Sequence, residues 1–224
     1  MSKRKLQRFA EMKTFLNVFE PSLEEIKTGN YKLKRKWAAD FFKNKNPIVL
    51  ELGCGKGEYT IGLAEKHPQK NFIGIDVKGA RMWRGAKTAI EKKLATVAFL
   101  RTRIEFLDCF FAPNEISAIW ITFPDPQPQK PRERKRLTSM RFLNIYKKFL
   151  SEKGIIHLKT DNVPLYEYTL DMIKENKFPL LEFTNDLYKE TNVVKHSEAT
   201  SIQTFYEKMF LTKGMKICYL KFQL

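Results

Sequence analysis

Two hydrophobic periods alternate along most of the chain. Ile48 to Leu52 is a short apolar run, and Gly53, Gly55 and Gly57 follow it in a loop. Glu58 to His67 carries apolar residues at helical spacing, and Asn71 to Ile75 is a second apolar run that ends on Asp76. Strand, tight turn, helix and strand make one βαβ unit. The alternation continues with a helix from about Lys78 to Leu94 and a strand at Val97 to Leu100. After a short segment around Phe106 to Phe111, Ala118 to Phe123 is too continuously apolar for an edge strand and is expected at the centre of the sheet.

The period then breaks. Pro124, Pro126 and Pro128 forbid helix and central strand, so the chain leaves as a stiff loop with Asp125 at its first bend. A helix at Thr138 to Leu150, a strand at Ile155 to Leu158 and a helix at Leu165 to Asn176 follow. Leu180 to Phe183 reads as a strand, Asp186 to Thr200 as a polar loop able to move, and Met215 to Phe222 as the last strand. The pattern predicts an α/β fold: a doubly wound seven-stranded sheet, mostly parallel, with an antiparallel last strand.

Before this regular region, residues 1–46 form a basic extension to a domain at 47–224. Trp37, Phe41 and Phe42 have the spacing of a helix that packs aromatics on the domain and turns lysines outward. The first dozen residues are expected to order only on meeting RNA. The 224 residues suffice for one α/β domain plus this extension. No apolar stretch is long enough to cross a membrane, and the charged start lacks the apolar segment of a leader, so a cytoplasmic protein is expected. Cys54, Cys109 and Cys218 match no zinc spacing and are expected as free thiols, and no metal is called for.

Charge changes the picture more than length does. Of the net +16, residues 1–46 hold 12 basic and 5 acidic side chains, and residues 126–160 hold 10 and 2. The other 143 residues are nearly balanced, so the excess is confined to two segments, as on a surface that neutralises a polyanion. Nucleic acid is the first candidate. Neither segment has the basic amphipathic pattern of a membrane-surface helix.

The glycine loop decides between nucleotide classes. A dinucleotide fingerprint spaces its glycines G-x-G-x-x-G so that a pyrophosphate can rest on the helix N-terminus, whereas here they alternate. Glu51 also places a carboxylate where it repels phosphate and welcomes a cation. S-adenosylmethionine has an ammonium group, a sulfonium and no phosphate. With Asp76 available for ribose hydroxyls, E-x-G-x-G-x-G resembles the first motif of the Rossmann-like methyltransferases. Glu51, Gly53, Gly55, Gly57 and Asp76 are therefore the candidate cofactor residues. Behind Asp125, the run Lys130, Arg132, Arg134, Lys135 and Arg136 places five cations beside the expected reaction centre.

More of the chain then falls into place. E-L-G-C-G-K-G at Glu51 to Gly57, G-I-D at Gly74 to Asp76, F-P-D-P at Phe123 to Pro126, K-R-L-T at Lys135 to Thr138, H-L-K-T-D at His157 to Asp161 and T-F-Y-E at Thr204 to Glu207 resemble, in order, the bacterial tRNA guanine-N7 methyltransferases. The resemblance implies that Asp125 lies next to the cofactor and orients the reaction, and that Asp125, Asp161, Thr204 and Glu207 meet the guanosine of a tRNA variable loop. Two departures stand out. Gln127 and Gln129 occupy positions where the family carries Trp and Lys, leaving Lys130 as the replacement cation, and Arg103, with Glu105 close by, stands where Asn or Asp touches the adenine.

Guanine N7 has a lone pair and no proton to remove, so its methylation needs alignment and electrostatic help rather than a general base. Thr204 and Glu207 also spell a capping box that opens a short helix, a role compatible with clamping the guanosine. Two other readings stay open: a non-catalytic RNA-binding domain that keeps the fold, and a methyltransferase acting on a protein or small molecule. The chain is expected to act as a monomer or homodimer.

Overall fold

The computed structural model describes residues 3–29, 31–189 and 196–224. Eight strands are present among them: β1 (Val18–Phe19), β2 (Ile48–Leu52), β3 (Asn71–Asp76), β4 (Val97–Arg101), β5 (Ile116–Thr122), β6 (Leu150–Thr160), β7 (Leu180–Thr184) and β8 (Cys218–Gln223). They form one sheet in the order β1-β4-β3-β2-β5-β6-β8-β7, with β8 antiparallel to both β6 and β7. The other neighbours run parallel. The antiparallel last strand is as expected. The eighth strand is β1, which the seven-strand reading lacks: two residues of the extension pair with Phe99 and Leu100 at the edge.

The helices are α1 (Lys3–Met12), α2 (Leu23–Thr28), α3 (Glu58–Lys66), α4 (Gly79–Glu91), α5 (Leu107–Phe110), α6 (Met140–Tyr146), α7 (Val163–Glu175), α8 (Ser197–Thr200) and α9 (Phe205–Thr212). Several of their ends are written locally. Ser22 and Glu25 form a reciprocal capping box on α2, and the Asn162 side chain caps α7 by accepting from Leu165 N–H. The expected Lys78–Leu94 helix is α4, shortened at its end because Lys93 turns to φ 55°. Residues 190–195, the middle of the expected polar loop, lie outside the described residues; Ser197–Thr200 after them is helical.

Both sheet faces are covered. Leu50, Leu52, Ile73, Ile119, Ile121 and Leu158 pack one core with Trp37, and Val49, Phe72, Phe99 and Trp120 pack another beneath α3 and α4. Burial on both sides explains the continuous apolar strands. The extension is part of this construction: Trp37, in a π-helical turn at Trp37–Phe42, is fully buried and its indole N–H donates to Phe110 O at 3.1 Å. Residues 3–12 differ from the sequence expectation too, because they form α1, docked on α4. Met12 is buried, and Glu11 accepts from Trp83 Nε1 and Lys87 Nζ, both at 2.8 Å.

Strand order reverses between β2 and β5, since β2 connects onward to β3 on one side and β5 to β6 on the other. In open α/β sheets the crevice at the carboxyl ends of such a strand pair holds the ligand. Here those ends are Leu52-Gly53 and Thr122-Phe123.

Candidate active site

The crevice is a cavity of about 310 Å³ whose wall includes Glu51, Gly53, Asp76, Asp125, Thr204 and Tyr206. A second cavity of about 270 Å³ shares Gly53, Asp76 and Asp125 and extends past Thr102, Arg103 and Gln127. Two adjoining hollows meet at one carboxylate on the proline loop.

The glycine loop is shaped by backbone needs. Gly53, Gly55 and Gly57 have φ of 73°, 55° and 72°, the left-handed region that side chains resist. At Gly57 space is also short, because a Cβ would lie 2.7 Å from the Phe99 ring and 3.1 Å from the Cα of Gly85. Gly53 and Cys54 N–H both donate to Ile75 O, at 2.8 and 3.0 Å, which ties the loop to the end of β3. Asp76 completes the tie: one carboxylate oxygen accepts Gly55 N–H at 2.9 Å and the other Lys78 N–H at 2.8 Å.

Glu51 is almost wholly buried at the end of β2. It accepts from Thr60 N–H at 2.8 Å, from the Thr60 hydroxyl, and from the Thr122 hydroxyl at 2.8 Å. All three donors are neutral, and burial pushes its pKa up to about 7 against the opposing pull of those bonds. Thr60 and Thr122 escaped sequence reasoning. Their signal is a hydroxyl on the inward face of a helix and at the end of a central strand, which is legible only once Glu51 is known to sit between them.

Asp125 is exposed and far less tied, with one hydrogen bond from Gln127 N–H to Oδ1 at 3.1 Å. The loop is bent on either side of it: Phe123 and Gln127 have φ of 47° and 46°, which non-glycine residues seldom adopt. Phe123 N–H donates to Lys159 O at 2.8 Å. Arg136 holds the far side, donating from Nε to Pro126 O at 3.2 Å and from Nη2 to Gln127 O at 3.4 Å, with its guanidinium 4.3 Å from the centre of the Tyr168 ring. The five cations behind Asp125 therefore divide. Arg136 is buried, bonded to the loop's own carbonyls and paired with Glu133 at 3.0 Å, while Lys130, Arg132, Arg134 and Lys135 stay exposed.

The other candidates divide. Thr204 reaches the main cavity and also caps α9: Glu207 N–H donates to its Oγ1 at 3.2 Å, and the Glu207 carboxylate accepts Thr204 N–H at 3.3 Å. Glu207 itself is fully buried behind the cavity wall. It takes the ammonium of Lys159 at 2.6 Å and the Tyr188 hydroxyl at 2.6 Å. Burial draws the Lys159 pKa down, opposed by its attraction to Glu207. Asp161 and Lys130 line neither cavity, Arg103 pairs with Glu105 at 3.2 Å beside the second, and Gln129 is exposed.

Residues 45–220 match a family model described as "Putative methyltransferase". A tRNA (guanine-N(7)-)-methyltransferase of Christiangramia forsetii is 53% identical over 223 residues, covering 100% of this chain and 99% of the relative. One of Bacteroides fragilis is 49% identical over 100% of this chain and 87% of its own. The chain belongs to the tRNA (guanine-N7)-methyltransferase family. Among solved structures, a 16S rRNA methyltransferase, KamB, superposes with a TM-score of 0.61 at 15% identity over 82% of this chain and 90% of its own. That likeness concerns the fold. In this member of the family the glycine loop and the Phe123–Asp125 stretch line the crevice where the sheet reverses.

Proposed function

We propose that this chain transfers a methyl group from S-adenosylmethionine to N7 of a guanine in the variable loop of tRNA. The observation that carries this reading is the juxtaposition of a buried Glu51, the left-handed glycine loop, Asp76 and Asp125 around one crevice. The residues fit the donor. Glu51 meets only neutral donors, so an ammonium group would give its carboxylate the charge partner it lacks. Each Asp76 oxygen accepts one backbone N–H and keeps a further lone pair for a ribose hydroxyl. The two hollows together fall in the range of about 300–1,000 Å³ usual for ligand sites. A phosphate would face two carboxylates and is disfavoured.

When bound, S-adenosylmethionine supplies a methyl group on a positively charged sulfur. The chain's own part is placement. Asp125, with one oxygen held by Gln127 N–H, offers the other to the ring N–H and amino group of guanine. Held there, the base directs its N7 lone pair along the crevice, and the carboxylate stabilises the positive ring that develops. No side chain has to remove a proton. Thr204 and Tyr206 form the opposite lip, and exposed cations at Lys130, Arg132, Arg134 and Lys135 supply the attraction for phosphates.

The test is transfer of label from methyl-labelled S-adenosylmethionine to a tRNA transcript, followed by nuclease digestion and mass mapping. Label at N7 of a variable-loop guanine is expected. Label on protein or a small molecule instead, or donor binding without transfer to tRNA, would replace this reading with one of the two alternatives.

A further inference from the structure

Lys159 is a charged residue in the middle of the fold that the reaction as described does not use. It ends the apolar run of β6, and its side chain is fully buried. Besides the Tyr59 and Tyr188 rings, whose centres lie 5.2 and 5.8 Å from its ammonium, its contacts tie two loops. Its backbone O accepts Phe123 N–H at 2.8 Å, two residues before Asp125 in the chain. Its ammonium donates to Ala199 O at 2.6 Å and Ile202 O at 3.0 Å and pairs with Glu207 at 2.6 Å. Glu207 in turn holds Thr204 N–H and the Tyr188 hydroxyl. The two loops that meet at Lys159 touch again through Phe123 and Phe210 of α9, whose ring centroids lie 5.8 Å apart.

Burying an ammonium among carbonyls and one carboxylate is expensive, and such pairs are poor sources of stability compared with apolar packing. What this one does is geometric. The proline loop with Asp125 and the α9 lip with Thr204 and Tyr206 come from distant parts of the chain, and both are indexed to one residue. Resting on the reading of the crevice given above, we propose that Lys159 is a positioning residue for methyl transfer, setting the distance between Asp125 and the Thr204–Tyr206 lip by fastening the α9 N-terminus through Glu207. It does not touch donor or acceptor. Its substitution therefore loosens the acceptor side and spares the donor side, whose ties run through Ile75, Asp76, Thr60 and Thr122.

The experiment compares the wild-type protein with Lys159→Met and with Lys159→Met/Glu207→Gln, the second because it leaves no lone buried charge to oppose folding. Three quantities are read: S-adenosylmethionine affinity by calorimetry, kcat and KM for a tRNA transcript, and amide hydrogen exchange over α9. In both variants kcat is expected to fall about 100-fold, the scale of a misplaced reacting group. Donor Kd and the KM for tRNA should stay within about threefold, because the exposed cations still hold the RNA. Exchange at Phe205 to Glu207 should speed up. Wild-type kcat with unchanged α9 exchange in either variant would overturn the proposal, and so would donor affinity lost in parallel with kcat, which marks a general lesion. If the wild type does not methylate tRNA, the reading of the reaction fails by itself, and donor affinity and α9 exchange then decide on the clamp.

Discussion

The two halves of the crevice are built in opposite ways. On the donor half Glu51 and Asp76 are both held, Glu51 by three donors and Asp76 by two backbone N–H groups, from residues of the β2-α3-β3 unit, its continuation to Lys78, or the neighbouring β5. On the acceptor half Asp125 has a single side-chain hydrogen bond among the described residues and stands exposed between two strained residues. The donor half is tied down because most of its parts are close in sequence. The acceptor half is positioned by remote anchors, Arg136 on one side and Lys159 on the other, and keeps a free oxygen where a base has to come and go.

The largest effect that separates the halves belongs to Asp125. Asp125→Asn keeps the shape but turns a donor toward the guanine's own donors, so single-turnover methylation at saturating S-adenosylmethionine should fall about 100- to 1000-fold. Calorimetric donor affinity should change far less. Near wild-type turnover in the variant would show that the acceptor half does not depend on this carboxylate.

Glu51 gives the next effect, with a pH signature. Its folded pKa of about 7 lies above the unfolded value, so the folded state binds the extra proton. Stability of the ligand-free protein is therefore full below the ordinary glutamate range and declines as pH rises through 7, by about 3 kcal/mol in all. Denaturation between pH 5 and 8 should show that decline, and Glu51→Gln should flatten it. Donor affinity should rise over the same interval, because the ionised carboxylate is the form that attracts an ammonium; a flat profile for both would remove Glu51 from the donor half.

Asp76→Ala should weaken donor binding by about 1.5 to 3 kcal/mol, the value of a hydrogen bond to a charged group, while the KM for tRNA stays put. The smallest effect distinguishes cations that look alike in sequence. Replacing Arg132 and Arg134 with alanine should make the log–log dependence of RNA affinity on salt shallower by about one unit per cation and leave thermal stability unchanged. Arg136→Ala should do the reverse, lowering the melting temperature with little change in slope, since its guanidinium is turned into the proline loop.

The same contrast explains what the sequence disclosed. The βαβ unit was legible because its logic is local: an apolar run, three glycines that tolerate left-handed backbone, a helix, and an acid at the end of the next run. The β6-α7 region was mostly legible, although β6 begins at Leu150, where the helical pattern had been extended, because α6 already ends at Tyr146. The capping box at Thr204 and Glu207 formed as its spacing required. The burial of Glu207 was not legible, since nothing near it in sequence announces Lys159, forty-odd residues upstream. In sequence Arg136 is simply the last of five cations beside the expected reaction centre, and only the fold reveals that carbonyls await it. β1 was hidden for a related reason: two residues have no period, and their partner strand is β4.

That last pairing has a consequence for how the molecule is made. Val18 and Phe19 leave the ribosome long before Phe99 and Leu100, to which they will bind, and Asn17 O has to wait for Phe99 N–H. At the usual pace of about 5–20 residues per second, that interval lasts several seconds. During it the opening segment is a strand without a sheet. The edge of the sheet is therefore closed by an earlier part of the chain returning to a later one, and the outermost strand is one that only a nearly finished β2-β3-β4 core can recruit.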